Sequence, residues 1–91
     1  DMKIDFKNFS IKKSVASTEL IKCDVRESFA DVLYKGVNGI RAHALAMKIY
    51  KSDGPTDYTY EECTMIKRTA ENMCTPAFID GLRAQISDND K

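Results

Sequence analysis

Ninety-one residues suffice for one small domain, which buries roughly 60–65% of the surface its unfolded chain exposes and so has little stability margin. With 43% hydrophobic and 31% charged residues the composition is that of a folded, water-facing chain and not of a disordered one. Fourteen cations balance fourteen anions; zero net charge argues against nucleic acid as the principal partner, since phosphate affinity comes from neutralising phosphates with Lys and Arg.

The longest apolar stretch, Ile40 to Tyr50, is interrupted by Arg41, His43 and Lys48, so no bilayer span is expected. No charged start followed by an apolar run and a small-residue cleavage site is visible, so no export signal is expected. Asp1 ahead of Met2 reads as an addition before the natural start. Three cysteines, Cys23, Cys63 and Cys74, are too few and too scattered for a disulfide framework. Reduced thiols and a cytoplasmic setting are the expectation.

Residues 3–23 form a strand-like arm. Ile4, Phe6, Phe9 and Ile11 sit among lysines, and Leu20, Ile21, Cys23 and Val25 are interleaved with Lys22 and Asp24. Period-two alternation predicts strands, and the small polar stretch from Ser14 to Thr18 suits a turn between them. The arm is therefore read as a β-hairpin that needs helices beneath it, because two strands alone are marginal in water.

Asp24 and Glu27 have the spacing of a capping box, opening a helix over Val25–Lys35 that places Phe29, Val32 and Leu33 on one face. Tyr34 projects away from that face. Gly36 is read as the left-handed terminator of this helix.

The next helix, Ile40–Lys51, carries two apolar sectors. Ala42, Leu45, Ala46, Ile49 and Tyr50 make one; Ile40, Ala44 and Met47 make the other, beyond His43. Such a helix is expected to be central and contacted from several sides. Asp53-Gly54-Pro55 ends it, and Tyr58 lies in the connection that follows.

Thr59 with Glu62 forms a second capping box, opening a helix over Tyr60–Cys74. Its apolar face is Cys63, Ile66, Ala70, Met73 and Cys74, and Met65 lies on the opposite side. Thr75-Pro76 then starts a last helix as N-cap and first helical residue, with Phe78, Ile79, Leu82 and Ile86 as its buried stripe. Ser87–Lys91 is read as a solvated tail. The fold class expected is α+β, mainly α: an N-terminal hairpin packed on four short helices spanning residues 24–86, in a single domain over 1–91.

Chemistry-bearing arrangements are sparse. His43 is the one histidine and is expected to be a hydrogen-bonded core residue; no second His or Cys accompanies it at metal-ligand spacing. Cys23 precedes a helix start, but the neighbouring Asp24 carboxylate opposes thiolate formation. Glu61 and Glu62 are adjacent on one helix and cannot face each other across a cleft.

Two alternatives remain open. The amides of the Gly36-Val37-Asn38-Gly39 turn, aided by Arg41, could hold a nucleotide or other anion at a helix start. Helices 25–35 and 40–51 could form a helix-turn-helix, reaching DNA through Arg41, Lys48 and Lys51 as a small nucleic-acid-binding regulator.

The stretch Phe29-Ala-Asp-Val-Leu-Tyr-Lys-Gly, with Ile40-Arg-Ala-His-Ala-Leu-Ala-Met-Lys-Ile-Tyr and Cys74-Thr-Pro-Ala-Phe-Ile-Asp-Gly-Leu, resembles small proteins encoded in bacteriophage and prophage regions. The resemblance covers about residues 20–86 and carries no catalytic residues with it. It implies a phage accessory protein inside the host cell, active in tail assembly or in countering host defence.

The residues therefore point to a non-enzymatic protein without cofactor or metal, acting through contacts with itself or with a host or phage protein, and self-associating. Binding residues are sought among Tyr34, Tyr58 and Met65, which lie outside the predicted stripes. Asn38, Arg41, His43 and Lys48, which cluster around the turn and the helix after it, complete the set.

Overall fold

The computed structural model describes residues 2–89. Three strands come first: β1 (Met2–Ile4), β2 (Phe9–Lys12) and β3 (Leu20–Cys23). Helices α1 (Arg26–Gly36) and α2 (Ile40–Lys51) follow, then β4 (Thr56–Tyr58), α3 (Tyr60–Met73) and α4 (Pro76–Asn89). The domain is α+β and mainly α.

The expected hairpin is β2–β3, with Phe9 opposite Cys23 and Lys12 opposite Leu20. A second antiparallel pair joins β1 to β4, with Met2 opposite Tyr58. Neither Thr56–Tyr58 as a strand nor its pairing with the N-terminus was expected from the sequence. A three-residue strand shows no periodicity of its own, and here its pairing partner lies at the other end of the arm.

The arm is clamped in place by polar contacts. The Asp5 carboxylate accepts hydrogen bonds from the backbone N–H groups of Lys7 and Asn8 at 3.0 and 2.9 Å, closing the bend between β1 and β2. Gln85 of α4 accepts from the Asp5 N–H at 2.8 Å and donates to the Asp5 carbonyl at 3.1 Å, satisfying backbone groups as a neighbouring strand would.

The centre of the core is aromatic. Phe6 stacks on Phe29 with ring centroids 5.3 Å apart and meets the edge of Tyr58 at 5.8 Å. Phe78 stacks on Phe9 at 4.6 Å and on Phe29 at 5.1 Å. These five rings come from the arm, α1, β4 and α4, so both ends of the chain meet its middle here. Offset aromatic pairs add to the large area each ring removes from water.

This corrects the expectation that α2 is central. It packs along α1 and buries only Ala42, Leu45, Ala46 and Ile49. Ile40, at 84% exposure, and Met47 and Tyr50 face outward. Alanine-rich and short-chained, α2 has less apolar area to bury than the phenylalanines, which therefore take the centre.

Helix boundaries follow local chemistry with three departures. The Thr59–Glu62 capping box is present: the Glu62 N–H donates to Thr59 Oγ1 at 3.2 Å and the Thr59 N–H to Glu62 Oε1 at 2.8 Å. The Asp24–Glu27 box is not. Asp24 accepts from the Arg26 N–H at 3.1 Å but spends its carboxylate on the Arg26 guanidinium at 2.7 Å, which holds the carboxyl below its ordinary range.

Gly36 ends α1 without a left-handed turn; positive φ occurs at Gly39 (105°) and Gly54. At Gly36 an added Cβ would meet only the mobile end of the Met73 side chain, so neither backbone conformation nor rigid packing demands glycine there. The last helix runs to Asn89, through the start of the expected tail; residues 90 and 91 lie outside those described.

Candidate functional site

A cleft opens between α2 and α3. The two helices are joined at one end by the β4 connection and by Lys48, whose ammonium donates to Glu62 at 2.8 Å. Glu62 thus closes two contacts at once, one to its own helix cap and one to α2. Burial pushes its carboxyl pKa up, but the bonds from Lys48 and the Thr59 amide outweigh this and the net shift is downward.

Beyond that pair the helices leave a cleft of about 820 Å³. Its floor is Leu45 and Thr69, at 2% and 4% exposure. Its walls are Val37 and Ala44 on one side and Met65 and Met73 on the other. The rim is polar and open: Arg41 pairs with Glu61 at 3.2 Å with both side chains mostly exposed, and Tyr60 is 84% exposed. Asn38, Arg68 and Asn72 also line it. Arg68 makes no ion pair or hydrogen bond through its side chain among the described residues.

The sequence explains why α3 shows a second face here. Cys63, Ile66 and Ala70 recur at helical spacing and point into the core. Met65, Thr69 and Asn72 recur at the same spacing on the adjacent side, so α3 has two apolar or neutral stripes, one covered and one open. Met73 belongs to the open one: it was expected in the core and is 48% exposed. Met65 on the side away from the core stripe was the sequence signal on α3 for this cleft, and Asn38 and Arg41 were the signals at the turn and the start of α2. Leu45, Tyr60, Arg68 and Thr69 were missed because a cleft between two helices leaves no mark on either alone.

The seven expected binding residues do not form one site. Asn38, Arg41 and Met65 line the α2–α3 cleft. Tyr34 and His43 line a smaller groove of about 360 Å³ between α1 and α2, with ring centroids 5.5 Å apart. His43 is exposed, which corrects its reading as a core histidine; it lies just beyond the part of α2 that α1 covers. Lys48 is occupied by Glu62 and sits 4.8 Å from the centroid of the Tyr58 ring.

Tyr58 is wholly buried and takes no part in any surface. Its strand pairs with β1 and turns the ring onto Phe6. Among the described residues no partner completes a hydrogen bond to its hydroxyl, although Ser52 and Thr56 lie near it, and burial pushes the phenol pKa up to about 12.

What the cleft can do chemically follows from its lining. Among the described residues no histidine or cysteine lines it, and its two carboxylates are each tied to a cation. Burial pushes the Cys63 and Cys74 thiols up, toward the protonated form. No group of three His, Cys, Asp or Glu side chains suited to a metal ion occurs among the described residues. An anion at the Gly36–Arg41 turn would meet Glu61 beside Arg41.

The outer face of α2 offers Ile40, Ala44 and Met47 between its cations, whereas a recognition helix presents polar groups to base edges. The lining suits an apolar surface with a polar border. No helix among the described residues is long and apolar enough to cross a membrane. Comparison of the chain with family models, with characterised proteins and with solved structures returned no match.

Proposed function

We propose that this protein is a non-enzymatic binding module whose α2–α3 cleft receives an amphipathic helix of a partner protein. One observation carries the reading: an open cleft with a floor of Leu45 and Thr69, walls of Met65 and Met73, and at its edge an Arg68 without a counter-ion among the described residues. Helix-in-groove recognition needs an apolar trough to take residues spaced three and four apart, and a polar rim to orient them. Methionine walls adapt their shape to the incoming side chains. The partner helix would carry an acidic residue placed to meet Arg68 beside its apolar stripe.

The likeness of residues 20–86 to small phage- and prophage-encoded proteins supplies the setting for this reading. In it the protein is an accessory factor in the host cytoplasm, active in tail assembly or against host defence, and it self-associates. The cleft and the self-association are separate surfaces.

The test uses the intact protein with Ala44→Arg and Met65→Glu, which load the cleft with charge at positions that are not fully buried. Partners captured from a phage-infected lysate by the wild type are purified and titrated calorimetrically. Each variant should weaken binding about tenfold or more, the effect of losing roughly 1.4 kcal/mol, while keeping the wild-type circular dichroism. A captured partner that binds both variants with wild-type affinity overturns the proposal.

A further inference from the structure

The β2–β3 hairpin has one covered edge and one open edge. The Lys13 N–H donates to the Glu19 carbonyl at 3.1 Å, and the register continues through Ile11–Ile21 and Phe9–Cys23. Because hydrogen-bonded and non-hydrogen-bonded rows alternate in an antiparallel ladder, Ile21 and Cys23 turn their backbone groups toward β2. Leu20 and Lys22 turn theirs away from it.

The same alternation holds on β2, where the Ser10 carbonyl points outward and is capped by α4, 2.5 Å from where a Gly81 Cβ would stand. Among the described residues no element packs along the outer side of β3. Leu20 is 61% and Ile21 49% exposed, and the strand carries no proline. Unpaired edges of this kind template the addition of another strand.

We infer that β3 is a self-association edge, at which two copies join antiparallel across a twofold axis through Ile21 to make a four-stranded sheet. A twofold perpendicular to the sheet keeps faces aligned, so only registers that place like-parity residues opposite each other are open to it. With the axis at Ile21, Leu20 of each copy lies opposite Lys22 of the other. These are the residues whose N–H and C=O groups point outward, so both rows close with reciprocal N–H···O bonds.

Side chains select this register over its neighbours. On one face, Ile11, Ile21, Ile21 of the second copy and Ile11 of the second copy form a continuous row, and Glu19 lies across from Cys23. An axis at Lys22 sets two lysines directly opposite each other, which is destabilising. An axis at Leu20 sets Glu19 against Ile21. Self-pairing is thus matched in backbone and apolar contact and sets no two charges directly opposite each other across the β3–β3 seam, and it needs nothing from the α2–α3 cleft.

Two measurements test it: sedimentation equilibrium over a dilution series, and amide hydrogen exchange at low and high protein concentration. Self-association makes protection concentration-dependent. Leu20 and Lys22 amides should gain protection as concentration rises, in step with dimer formation. Ile21 and Cys23, already bonded within the chain, should gain far less.

Leu20→Pro removes an outward N–H at the first residue of the strand, where proline is tolerated. It should raise the dimer dissociation constant about tenfold or more while leaving the melting curve two-state. Ile21→Glu, which sets two carboxylates together at the axis, should do the same. A chain that stays monomeric at the highest concentration overturns the inference. So does a dimer that forms without protecting Leu20 and Lys22, or one that Leu20→Pro leaves unchanged.

Discussion

Replacing Gly81 with alanine sets two effects of opposite sign against each other. Gly81 lies within α4, where exchanging glycine for alanine in a helix interior ordinarily gains about 0.8–1 kcal/mol. The added methyl group, however, would stand 2.5 Å from the Ser10 carbonyl oxygen and 2.7 Å from Phe9 Cε1. Ordinary contact begins near 3.4 Å, so the first overlap is close to an ångström and involves backbone.

Phe9 cannot swing aside, because its ring is wholly buried and stacked on Phe78 at 4.6 Å. Overpacking a tight core costs about 1–3 kcal/mol. The net expectation is a loss of about 0–2 kcal/mol, and in a domain this size each kcal/mol lowers the melting temperature by roughly 4–8 °C.

Thermal and urea unfolding followed by far-UV circular dichroism read the difference directly. Gly36→Ala is the internal control, since the obstacle there is the end of the flexible, half-exposed Met73 side chain. It should be near neutral. If Gly81→Ala raises the melting temperature, the close approach of α4 to β2 is not part of the native packing and the reasoning fails.

Thr59→Ala should cost about 1 kcal/mol, the usual loss for removing an N-cap side chain, read as a shift of the urea midpoint at constant slope. Glu62→Gln tests the acid limb of stability. The Glu62 pKa is depressed below its ordinary value of 4.5 in the folded state, so its contribution is full above that value and is lost as pH falls through the folded pKa. The variant should be less stable than the wild type at neutral pH and converge with it in acid, and a constant gap across pH would refute this.

Tyr58→Phe removes a buried hydroxyl that has no hydrogen-bond partner among the described residues. It should leave stability unchanged or raise it by up to about 1 kcal/mol, and a loss larger than that would show that the hydroxyl is satisfied after all. Phe6→Ala, at the meeting point of Phe9, Phe29 and Tyr58, should cost about 3–5 kcal/mol in the same unfolding assay.

The helical part of the fold was legible because its signals are local. Thr59 and Glu62 lie within a single turn and the Ile40 start follows a glycine, so the period and punctuation of the chain place α2 and α3 to within a residue. Asp24 failed as a capping box for an equally local reason: Arg26, two residues on, competes for the same carboxylate and reaches the Ser52 carbonyl beyond it at 2.6 Å. The candidate site was far less legible. Met65 stood out, but Leu45 and Thr69 read as ordinary interior positions, and their role as a cleft floor depends on how far α2 and α3 diverge.

By itself the sequence determined where helices begin and end, which residues are apolar, and that the arm would pair as strands, because each of these depends on residues within a turn or two of one another. The tertiary structure decided which apolar surfaces are covered. Two sectors of α2 competed for burial, and α1 covers only one. Met2–Ile4 found its partner in Thr56–Tyr58, drawing Tyr58 from a presumed surface into the aromatic centre. Five rings from four parts of the chain remove more apolar area together than α2 can offer alone. That contest is settled by the summed burial of distant segments, a quantity no local pattern contains.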